Sequence, residues 1–225
     1  MMRSKLMLWG TAAALALGST AATASVVVVK STSKAYPAGK TLPESAKITL
    51  QGGDVVTLLG PGSAKTLRGP GSFEAKQVTT ASASSRRGRF GALRASEVAR
   101  NPSIWDIDVS QNGKICVARD NKVQLWRPMT EGAVTVNIRK PDGTVEPLTW
   151  ASGSALTDWP TGLAIHNGER YQVEWPASGD KSTLEFVTVD AKADDLVGTA
   201  QVLIANGCNN QLDLLVASAG KGKGH

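Results

Sequence analysis

The chain has 225 residues, 41% of them hydrophobic and 20% charged, with 23 Gly, 10 Pro, 2 Cys, 2 His and a formal net charge of +6. That is enough for one or two small domains with a real core, and the composition excludes a collagen, a disulfide-knot scaffold and a wholly disordered chain. Two histidines and two cysteines leave little room for metal or acid–base chemistry, so no cofactor and no metal site is expected.

Residues 1–24 read as a signal peptide. Arg3 and Lys5 form a basic start, Leu6 to Leu17 an apolar run, and Ala22-Thr23-Ala24 a small-x-small cleavage site. A bilayer span needs about 20 apolar residues, and this run dissolves at Gly18-Ser19-Thr20. The expectation is cleavage after Ala24 and an exported mature chain without a transmembrane segment, in the bacterial periplasm. The charge beyond Ala24 is uneven: residues 25–100 hold 12 Lys/Arg against 4 Asp/Glu, and residues 101–225 hold 11 against 15. Such a switch predicts two modules with different surfaces. A basic half outside the cytoplasm suits an envelope protein or an anionic envelope polymer as partner. Nucleic acid is disfavoured by compartment and by the scarcity of aromatic residues there for stacking.

Residues 25–75 predict a small β-barrel or hairpin module. Val26 to Val29 is a β-branched run, Ile48-Thr49-Leu50 alternates, and Val55 to Leu59 and Lys65 to Arg68 are further strands. Gly52-Gly53-Asp54 and Gly60-Pro61-Gly62-Ser63 supply turns between them. The stretch 59–66 has only a superficial likeness to a phosphate-binding loop, since Ala64 and Leu59 stand where that loop needs glycines. The succession Gly39-Lys40-Thr41-Leu42, Ala46 to Asp54 and Leu67-Arg68-Gly69-Pro70-Gly71-Ser72-Phe73-Glu74 resembles FecR-like periplasmic β-domains. It covers about a fifth of the chain, without a second copy or an inner-membrane helix. The resemblance implies a periplasmic β-fold and a role near transmembrane signalling, and it brings no catalytic residues.

Residues 76–101 form a basic linker. Thr79 to Ser85 is small and polar, Arg86, Arg87, Arg89 and Arg94 are a candidate contact surface, and Phe90 to Arg100 hints at a short helix ending before Pro102. Residues 102–190 predict an antiparallel β-sandwich, immunoglobulin-like in architecture only. Its strands fall at Ile115 to Val117, Val123 to Trp126, Val134 to Ile138, Tyr171 to Trp175 and Leu184 to Val187, with turns at Asn112-Gly113, Asp120-Asn121 and Pro141-Asp142-Gly143. A helical tail packed on the sandwich follows over residues 191–219, N-capped by Asp194 or its neighbour and broken at Asn206-Gly207. Residues 220–225 cannot pack and are expected to be disordered. The fold class is thus mainly β.

Export favours a Cys116–Cys208 disulfide, the alternative being two buried free thiols. Three constellations bear on chemistry. His166 stands alone at a strand end running into a turn, with no Gly-x-Ser-x-Gly elbow. Asp106 and Asp108, two apart in an extended segment, project to one face beside inward-packing Trp105 and Ile107. Trp126, Trp150, Trp159 and Trp175 each sit near a strand end, three with a proline close behind. These tryptophans are expected in the core, although an exposed set would form a sugar-stacking platform. The combined reading is a non-enzymatic exported envelope protein that binds, scaffolds or assists signalling. The alternatives are a carbohydrate- or peptidoglycan-binding module built on those tryptophans, and a hydrolase using His166 with Asp106 or Asp108.

Overall fold

The computed structural model describes residues 25–79, 101–119, 121–190 and 195–219. The expected signal peptide, the basic linker cluster with its expected helix, and the tail 220–225 lie outside the described residues. The protein is mainly β, as its alternating segments predict, with two helices near the C-terminal end.

The first module contains strands β1 (Ser25–Ser31), β2 (Thr41–Pro43), β3 (Lys47–Leu50), β4 (Val55–Leu59), β5 (Ala64–Arg68) and β6 (Gly71–Glu74), then the single turn α1 (Lys76–Thr79). One antiparallel sheet has the order β2-β1-β4-β5, and β3 pairs with β6 as a second layer. Val26, Val28, Ile48, Leu50, Val56, Leu58 and Leu67 fill the space between. Strand β6 was not marked in the sequence, because Gly-Ser-Phe-Glu carries almost no strand signal. Its pairing with β3, Ile48 opposite Phe73, forms it nonetheless. Gly69 precedes it where a Cβ would run into the Gln51 carbonyl, so only glycine allows that close approach.

The second module contains β7 (Ile107–Asp108), β8 (Gly113–Ala118), β9 (Gln124–Trp126), β10 (Val134–Arg139), β11 (Val145–Trp150), β12 (Leu156–Asp158), β13 (Arg170–Glu174) and β14 (Lys181–Val189). A five-stranded sheet of order β11-β10-β13-β14-β8 faces a three-stranded one of order β12-β9-β7. Most pairs are antiparallel, but β8 runs parallel to β14 and β7 parallel to β9. Period-two patterning fixes which face a residue occupies and says nothing of strand direction, so these two pairings were beyond it. The core is Val136, Ile138, Val173, Leu184 and their neighbours around a triangle of Trp159, Tyr171 and Phe186. Those rings meet edge to face, with centroids 5.0–5.5 Å apart.

Helices α2 (Leu196–Asn206) and α3 (Asn209–Ala219) close the fold. Asp195 caps α2, its carboxylate accepting from the Gly198 N–H, and Gly207 ends it in the left-handed conformation at φ 74°. The sequence places the tail on the sandwich. It packs on both modules: Ala200, Leu203, Leu212 and Leu215 share one cluster with Val27, Val29 and Leu59 of the first module and with Cys116 and Val189 of the second. This is why four successive valines are all buried. Val26 and Val28 face the β-core while Val27 and Val29 face the helices.

Residue 116 is held twice. Cys116 and Cys208 form a disulfide with Cα atoms 5.8 Å apart across 92 residues, a loop whose closure removes about 4–5 kcal/mol of unfolded-state entropy. On the free edge of β8, the Cys116 N–H donates to Gln211 Oε1 at 2.7 Å, and Gln211 Nε2 donates to the Cys116 and Ile104 carbonyls, each at 2.8 Å. The buried amide thus takes the place of a neighbouring strand. Replacing it strands three backbone groups in a dry setting, each worth about 1–3 kcal/mol. Gln211→Leu should therefore lower the unfolding free energy by about 3 kcal/mol or more in urea titrations; a loss under about 1 kcal/mol would show that this edge is closed by other means.

Candidate functional site

The disulfide and the Gln211 amide bring α3 alongside the segment 101–111, and between them lies a cleft of about 390 Å³. Ile107, Ile115 and Trp126 of the sandwich, with Leu214 and Ala217 of α3, form its apolar part. Asn101, Asp106, Asp108, Gln111, Asn210 and Asp213 supply its polar part, and among the described residues no Lys or Arg lines it.

Short-range bonds fix the walls. Asn101 Nδ2 donates to the Asp106 carbonyl at 2.6 Å, and its Oδ1 accepts from the Ser103 N–H at 3.3 Å. Ser103 Oγ in turn accepts from the Trp105 N–H. Asp108 Oδ1 accepts from both the N–H and the hydroxyl of Ser110, at 3.0 and 2.6 Å. Asn210 Nδ2 donates to the Asn112 carbonyl at 3.1 Å, tying α3 to the start of β8. Asp213 pairs with Lys30 of β1 at 2.6 Å on the outer side.

Two polar groups of the cleft have no protein partner among the described residues. One is the Asp106 carboxylate, which burial pushes above the usual carboxylate range. By contrast Glu174, Asp158 and Asp190 are held below it by hydrogen bonds from Arg139, Lys122 and Arg119 respectively. The other is the indole N–H of Trp126, a residue only 5% exposed. Among the described residues Trp150 Nε1 is the one fully enclosed side-chain polar atom without a partner. Trp126 Nε1 is not among the fully enclosed atoms, and Trp126 is one of the residues that line the cleft.

The residues singled out in the sequence fall as follows. Asp106 and Asp108 share the cleft, as their spacing predicts. His166 does not join them: it is exposed in the loop between β12 and β13 rather than at a strand end, and it borders a separate depression of about 260 Å³ with Lys140, Asp142, Glu169 and Tyr171. There the Tyr171 hydroxyl lies 2.6 Å from the Ala164 carbonyl and 2.7 Å from the Glu169 carboxylate, and burial pushes its phenol further up from its ordinary range. The hydrolase arrangement of His166 beside either aspartate is thus not formed. Trp126, Trp150 and Trp159 are buried, and only Trp175, stacked on Trp150 at 6.2 Å, is partly exposed. A sugar platform needs two ring faces turned to solvent, and these rings are turned into the core. Arg86, Arg87, Arg89 and Arg94 lie outside the described residues. No three His, Cys, Asp or Glu side chains gather in metal-binding geometry among the described residues.

Sequence reasoning missed Arg127, which is 2% exposed. Its guanidinium lies over Trp150 and donates to the carbonyls of Gly132, Ala151 and Ser154 at 2.9–3.0 Å, fastening two loops. It also missed Gln211, which looks like any polar residue on an exposed helix face. A comparison of the chain with protein families, with curated proteins and with solved structures finds no match.

The raised Asp106 carboxyl has a consequence for stability. The folded protein binds that proton more readily than the unfolded chain does, so at neutral pH its ionisation works against folding, and acidification through the carboxylate range removes the penalty. Asp106→Asn is expected to melt at a higher temperature than the parent at pH 7, with the difference shrinking towards pH 3. A variant that melts lower at pH 7 would mean that the carboxylate has a stabilising partner.

Proposed function

We propose that the chain is an exported, non-enzymatic binding protein of the bacterial envelope whose ligand-facing surface is the cleft between α3 and residues 101–111. One observation carries this reading: a concave site within the size range of small-ligand pockets, built where the helices meet the sandwich, presents polar groups that the protein itself leaves unpaired. Export is supported by the buried Cys116–Cys208 bridge. Among the described residues no helix is long and apolar enough to cross a membrane. A non-catalytic role is supported by the separation of His166 from Asp106 and Asp108, each lining its own depression.

The two β-modules carry complementary suggestions. The hairpin succession through Phe73 supports a FecR-like module and with it an accessory place in envelope signalling. In the sandwich, β8, the first strand of the five-stranded sheet in chain order, runs parallel to the last, β14, and the Tyr171 hydroxyl at the start of β13 bonds back to Ala164, which supports an immunoglobulin-like reading. Neither architecture brings catalytic groups of its own.

The test uses the full chain in a Gram-negative host. Osmotic-shock release, N-terminal sequencing and thiol blocking should give a shock-released protein starting at Ser25 with both cysteines oxidised. A photo-crosslinking amino acid at Gln111, on the cleft rim, should give a discrete adduct by mass spectrometry that the same group at Thr161, bordering another depression, does not. Recovery of the chain in the cytoplasm with residues 1–24 attached, or identical adducts from both positions, would overturn the reading.

A further inference from the structure

The unpaired groups of the cleft define what chemistry it accepts, resting on the reading of that cleft as the binding surface. Among the described residues the Asp106 carboxylate has no donor, Asp108 is engaged on one oxygen only, and no Lys or Arg lines the site. A partly dehydrated carboxylate without a counter-ion is costly in a protein and is relieved by a positive group brought from outside. The Trp126 N–H is a donor in search of an acceptor. Ile107, Ile115 and Leu214 offer an apolar surface between these polar ends. A small metal ion answers only the carboxylates: it gives the indole no acceptor and leaves the apolar wall uncovered. An anion meets the wrong charge.

We propose that the cleft binds an organic cation on an apolar stem with a hydrogen-bond acceptor beside it, the chemistry of a lysine or arginine residue. Asp106 and Asp108 take the ammonium or guanidinium, the aliphatic stem lies against Ile107, Ile115 and Leu214, and a carbonyl accepts from Trp126. Two sources share this chemistry, a Lys or Arg within a peptide and the free amino acid. They differ at the far end, where the free amino acid adds an ammonium and a carboxylate. The third carboxylate, Asp213, is already engaged by Lys30, so the free α-ammonium finds no further empty acidic partner on that wall.

Titrations followed by the tryptophan indole signals in proton–nitrogen correlation spectra test this, with the Trp126 signal assigned by Trp126→Phe. The probes are N-acetyl-lysine amide, N-acetyl-arginine amide, free lysine, free arginine and N-acetyl-norleucine amide as the neutral isostere. The expected result is a saturable shift of the Trp126 signal with the acetylated cations at a Kd of about a millimolar or tighter, and none with norleucine amide. Asp106→Asn should weaken binding roughly tenfold or more, while its unliganded spectrum stays that of the parent. Tighter binding of the capped than of the free forms identifies a peptide as the source, and the reverse identifies the amino acid. A norleucine response equal to the cationic one, no saturable response to any cation, or an unchanged Kd in Asp106→Asn would overturn the proposal. If the Gln111 adduct persists in that case, the ligand class falls and the binding role stands.

Discussion

Val27 and Val29 point away from the core of the first β-module, and without the α2–α3 hairpin they would face water together with Leu59. The hairpin covers them with Leu203, Leu212 and Leu215 and, in the same cluster, covers the Cys116 and Val189 side of the second module. Burying such side chains is worth about 1.5–3 kcal/mol each, so neither sheet completes its own core without the helices. The disulfide and the Gln211 amide fasten that shared layer to β8 at a single residue. Two sheets and a helical hairpin therefore form one body, and the geometry of the cleft follows from how the third part is laid against the other two.

That arrangement explains why the cleft is where it is. The sandwich ends in a short β7 that leaves Asp106 and Asp108 at the edge of the sheet, and α3 runs past this edge, held there by Asn210 and Gln211. The walls are rigid because their backbone groups are bonded, while Asp106 and the Trp126 indole are left open. Elsewhere Glu174 lies between Arg139 and Lys181, and Glu185 between Arg170 and Lys114. The Asp106 carboxyl, pushed up by burial, has no such partner among the described residues, which costs stability at that position.

Much of the fold was legible in the sequence. The strands at 26–29, 55–59, 115–117, 134–138 and 184–187 are written in β-branched alternation, and the helix break at Gly207 in its turn chemistry. Strand direction was not legible, because alternation is the same for parallel and antiparallel neighbours. Nor were β6, β11 and β12, whose residues are strands by virtue of their partners. An unbroken apolar run such as Val26 to Val29 marks a strand covered on both faces, and here the second cover is the helical hairpin. Asp106 and Asp108 were placed on one face correctly. Their real company, Trp126 and α3, depends on contacts about 20 and 105 residues away in sequence, which local patterns do not record.

The central claim is that the helical hairpin makes the two β-modules a single cooperative unit. Native-state hydrogen exchange on the oxidised protein tests it most directly. The account predicts that amides of Val26 to Val29 in β1 and of Ile115 to Val117 in β8 exchange through one opening whose free energy equals that of global unfolding, within about 1 kcal/mol. Exchange of the β1 amides at a markedly lower free energy, with β8 still protected, would contradict it.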